Sequence, residues 1–224
     1  MPTGKITGES MSNQQKNIKK SIRNIVFTLI LLLLTNIVMA LTLASVFKRE
    51  LRTQMNQRML DIANTAAAQI NGDELERLTA ADMGTEEYER VLGVLRSFQK
   101  NIELDYIYGI RDNGNGTFSF TIDPSSQDPG EFNEPVVATQ ALKTAATGTP
   151  SVDQTPYADN WGRFYSAYSP VFDSRGEIAG IVGVDFNADR YDSRIGSYRT
   201  VSLILLIAVL SIGIVLAVLL IHLY

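Results

Sequence analysis

Tyr157-Ala-Asp-Asn-Trp161-Gly-Arg-Phe-Tyr165-Ser-Ala-Tyr168-Ser-Pro170-Val-Phe-Asp173-Ser-Arg-Gly176, followed after one residue by Ile178-Ala-Gly-Ile-Val-Gly-Val-Asp185-Phe186, decides the fold of this 224-residue chain. Residues 163–172 and 178–186 are rich in aromatic and β-branched side chains, and Asp173-Ser174-Arg175-Gly176 between them reads as a turn. Strands joined by so short a turn pair antiparallel. Asp185 then shares one strand face with Ala179, Ile181 and Gly183, while Val182, Val184 and Phe186 take the other. A carboxylate among small and apolar residues needs a partner, because an isolated buried charge costs several kcal/mol. It is either a ligand contact or a structural group, paired with an arginine or capping the helix that follows.

Working outward, the loop 149–162 holds Trp161, the one tryptophan, beside Tyr157, Phe164 and Tyr165. Aromatics in a loop over a sheet wall a pocket or box an ammonium group, or else they anchor the loop to the core. Pro135 opens a helix carrying Val136, Val137, Leu142 and Ala145 and ending at Gly148. A polar loop, 124–133, precedes it. Residues 105–111 form a strand, Asn113-Gly114-Asn115-Gly116 a turn, and Phe118, Phe120 and Ile122 alternate on the return strand. Phe118, Phe120 and Phe164 are expected in the core. A helix from Thr85 aligns Tyr88, Val91, Leu92, Leu95 and Phe98. Asn71-Gly72 stops a longer helix, and Asp73 with Glu76 caps a short one. On the long helix Leu51, Met55, Met59, Ile62 and Ala66 form one stripe. Its membrane-proximal part is expected to pair two subunits as a homodimer and its distal part to pack on the sheet. The fold class is therefore α+β: an antiparallel sheet with a long N-terminal helix.

Two apolar runs flank it. Residues 25–47 hold 18 apolar side chains in 23, and residues 201–221 hold 18 in 21, with no charge in either. As helices they reach roughly 34 Å and 31 Å, enough to cross a hydrocarbon core of about 30 Å. The predicted organisation is a tail at 1–24, a transmembrane helix at 25–47, a domain at 48–200, a second transmembrane helix at 201–221 and a short end at 222–224. The tail carries Lys5, Lys16, Lys19, Lys20 and Arg23 against Glu9 alone, which places it in the cytoplasm and the domain outside. A signal peptide cleaved after Val38-Met39-Ala40 is the competing reading, but its apolar region would run only about 7 to 15 residues. The domain holds 15 basic and 23 acidic side chains, which argues against nucleic acid as a partner.

Catalysis has little support. The chain has no cysteine, and its one histidine, His222, stands at the end of the second apolar run. Serine–histidine chemistry, histidine-ligated metal and histidine phosphorylation are unsupported, and no phosphate loop is present. Asp112, Asn113 and Asn115 lack the terminal glutamate of a calcium loop. Asn71-Gly72-Asp73-Glu74-Leu75 echoes the Gly-Gly-Asp-Glu-Phe signature of a cyclase, but at a helix junction outside the membrane. Neither cofactor nor metal is expected.

The Tyr157–Asp185 motif, with the Tyr106-Ile107-Tyr108 strand and the long first helix, resembles the extracytoplasmic Cache sensors, the PAS-like domains of bacterial receptors. It looks most like those of membrane-bound diguanylate cyclases and their chemoreceptor and histidine-kinase relatives. The resemblance implies a small-molecule ligand between the sheet and the loop and helix that cover it. It implies Tyr157, Trp161, Tyr165 and Tyr168 as pocket residues and Asp185 as acceptor for a ligand amine. The amino-acid-binding pattern has an arginine two positions before the tryptophan; here that position is Asp159, and Arg163 is the candidate substitute. The expected function is a sensor of the bacterial inner membrane for an amine or amino-acid-like ligand. It would signal through the second span to an output module beyond Tyr224, and the chain itself is expected not to be an enzyme. The alternative is a ligand-free interaction or scaffold domain, which requires a filled core near Trp161.

Overall fold

The structure, a computed structural model, describes residues 8–223, without the side chains of residues 8–10, 12, 194–199, 202, 217 and 220–223. Lys5 of the tail lies outside the described residues, as do the side chains of Glu9 and His222. The chain divides into two compact units, Met1–Arg49 with Ile195–Tyr224, and Glu50–Arg194.

The first unit is helical, formed by the N-terminal part of α1 (Gly8–Gln69) and most of α5 (Ala188–Leu223). Phe27, Leu31, Leu34, Val38 and Leu41 of α1, and Leu203, Ile207 and Ile214 of α5, are exposed. A helix surface that is apolar all round suits lipid rather than water. By length and composition α1 can cross a membrane, and its most apolar window is unburied. The described apolar segment of α5, Leu203–Leu216, is shorter.

The second unit holds the sheet. After α1 come α2 (Gly72–Arg77), a 3-10 turn (Ala80–Asp82) and α3 (Glu86–Asn101). Then follow β1 (Tyr106–Asp112), β2 (Phe118–Ile122), β3 (Pro135–Val136), α4 (Gln140–Ala145), β4 (Ser151–Val152), β5 (Tyr157–Ala158), β6 (Arg163–Phe172) and β7 (Ile178–Asn187). The strands lie in the order β3-β2-β1-β7-β6-β4, with β5 also on β6, and every pairing is antiparallel. The fold is α+β.

One face of the sheet is covered by α1, α2 and α3. Met59, Ile62, Ala66, Leu75, Val91, Leu95 and Phe98 pack on Ile107, Ala167, Val171, Val182 and Val184. The stripe on α1 from Met55 to Ala66 thus packs on its own sheet. Thr85 caps α3 by accepting the Tyr88 amide, as its position before the apolar run predicts. The other face carries a smaller core of Tyr108, Ile110, Phe118, Phe120, Leu142, Ala145, Tyr168 and Ile181 beneath α4.

Three local expectations are corrected. Asn71 caps α2 by accepting the Glu74 amide, and Asp73 instead accepts from the backbone and hydroxyl of Ser174 in the β6–β7 turn. Gly72 is required by contact, because a Cβ there would lie 2.3 Å from the Phe172 carbonyl oxygen. Pro135 does not open a helix: with Val136 it forms an edge strand, where a residue without an N–H is tolerated, and α4 begins only after the Thr139 cap. A bulge between Gly109 and Ile110 shifts the β1–β2 register, so that Phe118 and Phe120 stay in one core while Ile122 joins the other.

Candidate functional site

On the α4 side of the sheet lies a cleft of about 160 Å³. Strands β1, β6 and β7 make its floor, the loop before β3 and the loop 157–162 its rim. Pairing fixes the floor: Asp185 is opposite Tyr106 on one side and Ser166 on the other, so these three side chains share a face. Tyr106, Tyr108, Phe120, Tyr157, Trp161 and Phe164 contribute six aromatic rings, and Asp123, Asp159 and Asp185 three carboxylates. No lysine, arginine or histidine is among the described residues that line it.

Asp185 is 3% exposed. Its Oδ1 accepts from the Ser166 hydroxyl and, at 3.2 Å, from the Tyr108 hydroxyl. Ser166 Oγ lies 3.1 Å from the Tyr157 hydroxyl, which extends the cluster. Both of these hydrogen bonds fall on Oδ1, and Asp185 is among the residues that line the cleft. With no cation to offset burial, the carboxyl is pushed up to about 8. Burial, with Asp185 beside them, also raises the Tyr108 and Tyr157 hydroxyls. Asp185 does not cap the exit helix. Asn187 does so, accepting the Arg190 amide.

Gly183 makes room for this floor, since a Cβ there would stand 2.8 Å from Tyr108 Cε2. Trp161 both walls the cleft and anchors a loop: it meets Phe120 edge-on at 5.6 Å and donates from Nε1 to the Asp128 carbonyl at 2.9 Å. Rim acids turn their loops. Asp159 Oδ1 accepts the Trp161 and Gly162 amides, and Asp123 accepts the Ser125 and Gly130 amides. Burial raises the Asp159 carboxyl.

Of the six residues singled out in the sequence, Tyr157, Trp161 and Asp185 line the cleft. Tyr168 lies on the same face, fully buried beneath it, near Tyr157 and Asp153, and its hydroxyl has no partner among the described residues. Tyr165 belongs to the other face, because its neighbour Ser166 is the one opposite Asp185. Its ring meets Tyr191 at 5.6 Å and lies under the Arg52 guanidinium at 5.4 Å. Arg163 is outside the cleft, paired with Asp189 and, at 2.7 Å, with Asp192 of α5.

Sequence reasoning missed Tyr106, Tyr108, Asp123 and Asp159 as wall residues. The period of β1 puts both tyrosines on one face, but only the β1–β7 register sets that face beside Asp185. Phe120 and Phe164, expected as core, are buried and also line the cleft. Where the scaffold alternative requires a filled core near Trp161, the cleft is open. Among the described residues no group of three acids or histidines is placed to hold a metal ion, and Asp112 turns its own loop by accepting the Gly114 amide.

The antiparallel sheet thus carries α1, α2 and α3 on one face and the aromatic cleft on the other. Solved structures to which the chain is similar include sensor and ligand-binding domains. They include the ligand-binding domain of the Campylobacter jejuni chemoreceptor Tlp3 with 4-methylisoleucine (16% identity, 67% of this chain and 57% of that one, TM-score 0.42). The E. coli DcuS sensor domain matches at 13% identity over 66% of this chain and 98% of that one, TM-score 0.45. The V. cholerae histidine kinase DctB sensor domain matches at 16% over 64% and 57%, TM-score 0.44. The chain thus spans under two thirds of the Tlp3 and DctB domains. No protein-family model and no curated protein matches the sequence.

Proposed function

We propose that the chain is a transmembrane sensor of the Cache type, held in a bacterial inner membrane with its N-terminus in the cytoplasm. Residues 25–47 and 201–221 are its two spans, and the domain between them lies outside the cell. It binds a small, amine-bearing ligand in the cleft and relays occupancy through α5 to a cytoplasmic output, of which a diguanylate cyclase is the leading candidate. The working unit is a homodimer joined along the membrane-proximal part of α1.

The observation that carries this reading is the position of Asp185. It is a buried carboxylate at the floor of an aromatic cleft, two residues before Asn187, where β7 runs into α5 without a loop. A ligand that prefers one setting of this strand biases the helix by its differential affinity and by no more than that. Calorimetric titration of the full chain in detergent with a panel of amines and amino acids tests it. Binding that vanishes in Asp185→Ala is the expected result. A bound ligand whose affinity ignores that substitution refutes the site.

A further inference from the structure

We propose that the ligand is a small organic cation without a carboxylate, a simple alkylamine or a methylated ammonium, and that the cleft rejects zwitterionic amino acids. This rests on the cleft being the ligand site.

Three features argue for it. The first is charge: Asp123, Asp159 and Asp185 line the cleft, and no basic side chain among the described lining residues opposes them. A ligand carboxylate would enter against the rim acids Asp123 and Asp159, whereas a cation is attracted at the rim and favours the ionised form of Asp185 at the floor. The second is the supply of donors. An amino acid's carboxylate is normally held by arginine or by free backbone amides. Arg163 is engaged with Asp189 and Asp192, outside the cleft. Four rim amides are engaged too: Trp161 and Gly162 donate to Asp159, and Ser125 and Gly130 donate to Asp123, which leaves the rim an uncharged donor in Asn160 but no cation. The Trp161 indole donates to the Asp128 carbonyl. The rim resembles an anion site already filled by the protein's own acids.

The third feature is the wall. Six aromatic rings suit an alkylammonium, whose charge they stabilise through the ring faces and whose carbons they cover. Asp185, at the floor of the cleft, is the acceptor that the ammonium meets. A cleft of about 160 Å³ has room for a small alkylammonium, since a cavity of similar volume encloses benzene.

The test uses matched pairs that differ by one carboxylate, titrated calorimetrically into the full chain in detergent: 3-methylbutylamine against L-leucine, and putrescine against L-ornithine, with choline as the methylated probe. At least one cation should bind, and its matched amino acid should bind about tenfold more weakly or worse, given like charges at close range. Asp159→Asn keeps an acceptor for the Trp161 and Gly162 amides and removes one rim charge, so it should narrow the leucine-to-amine ratio several-fold. Leucine or ornithine binding as tightly as its amine, with loss of both in Asp185→Asn, overturns this inference and leaves the sensor site standing. Binding of no probe, or binding indifferent to Asp185→Asn, overturns both.

Discussion

A cation that enters beside Asp185 is expected to expel a proton. In the empty cleft this carboxyl is raised to about 8 by burial. At pH 7 roughly nine tenths of the molecules then carry it neutral, and only about one tenth are ready to bind an ammonium group. Binding at pH 7 should release about 0.9 proton per ligand, falling to about 0.1 at pH 9. Affinity should fall about tenfold, or about 1.4 kcal/mol, for each pH unit below about 8, and level off above it. The ligand does not confuse the count, since an alkylammonium ionises near pH 10, as lysine does. Other titratable groups face this carboxyl: Asp159 at the rim, Asp123, the Tyr106, Tyr108 and Tyr157 hydroxyls, and Asp153 beyond Tyr168, itself raised to about 6 by burial. At pH 7 Asp153 is already mostly ionised, so Asp153→Asn should leave the count unchanged. The assay is calorimetry of one bound amine in two buffers of different ionisation heat, at pH 7 and pH 9. Equal heats in both buffers at pH 7, with binding intact, would mean that Asp185 is already charged when empty, and the burial argument would fail.

The same carboxyl makes the empty protein less stable as pH rises. Its folded value lies above the unfolded 3.8, so the native state keeps a proton that the unfolded chain has lost. The melting temperature should therefore fall between about pH 4 and pH 8 and flatten above, and Asp185→Asn should remove most of that slope. Gly183→Ala places a Cβ 2.8 Å from Tyr108 Cε2 and pushes the ring toward the cleft. It should cost about 1–3 kcal/mol in melting experiments and weaken amine binding more than stability alone explains. Tyr165→Leu, on the opposite face, should leave amine affinity within about threefold while removing the ring contacts to Tyr191 and Arg52. Ligand-dependent protection of the first turns of α5, read by hydrogen exchange, should disappear in that variant.

The elements were legible in the sequence wherever one local signal decided them. The Asp173–Gly176 turn fixed the β6–β7 hairpin, and Thr85 followed by Tyr88, Val91, Leu92 and Leu95 fixed α3. Strand faces were legible only while the period of two held. Asp185 was placed on its correct face by counting along β7, but Ile122 was not, because the bulge at Gly109 is a property of two paired strands. Pro135 misled for a related reason: its fixed φ suits a first helical turn as well as a strand edge, and only pairing with Ser119 selects the strand. The site was read as far as single residues could carry it. Trp161 and Asp185 stood out by composition, whereas Asp123 and Tyr108 reach the cleft through long-range register and loop closure. Tyr165 was misplaced by similarity of motif, although the alternation that puts Ser166 opposite Asp185 excludes it from the cleft.

That alternation gives the proposed relay a physical form. Ser166 and Asp185 are register partners facing the cleft, and the adjacent partners, Tyr165 and Phe186, face the helices. Tyr165 touches Arg52 of α1 and Tyr191 of α5, and Phe186 lies under Arg58 of α1 at 5.6 Å. Both ends of this step are tied to α5: Arg163 binds Asp189 and Asp192, and Asp105, just before β1, accepts the Asn187 amide and pairs with Arg190. A packed interior does not deform smoothly, so under the proposed cation binding a shift of the Ser166–Asp185 pair would move its neighbours as well. The aromatic contacts of Tyr165 and Phe186 are where such a movement would leave the sheet. Cleft and α5 share one strand pair, and the proposed ligand would need only to favour one setting of it.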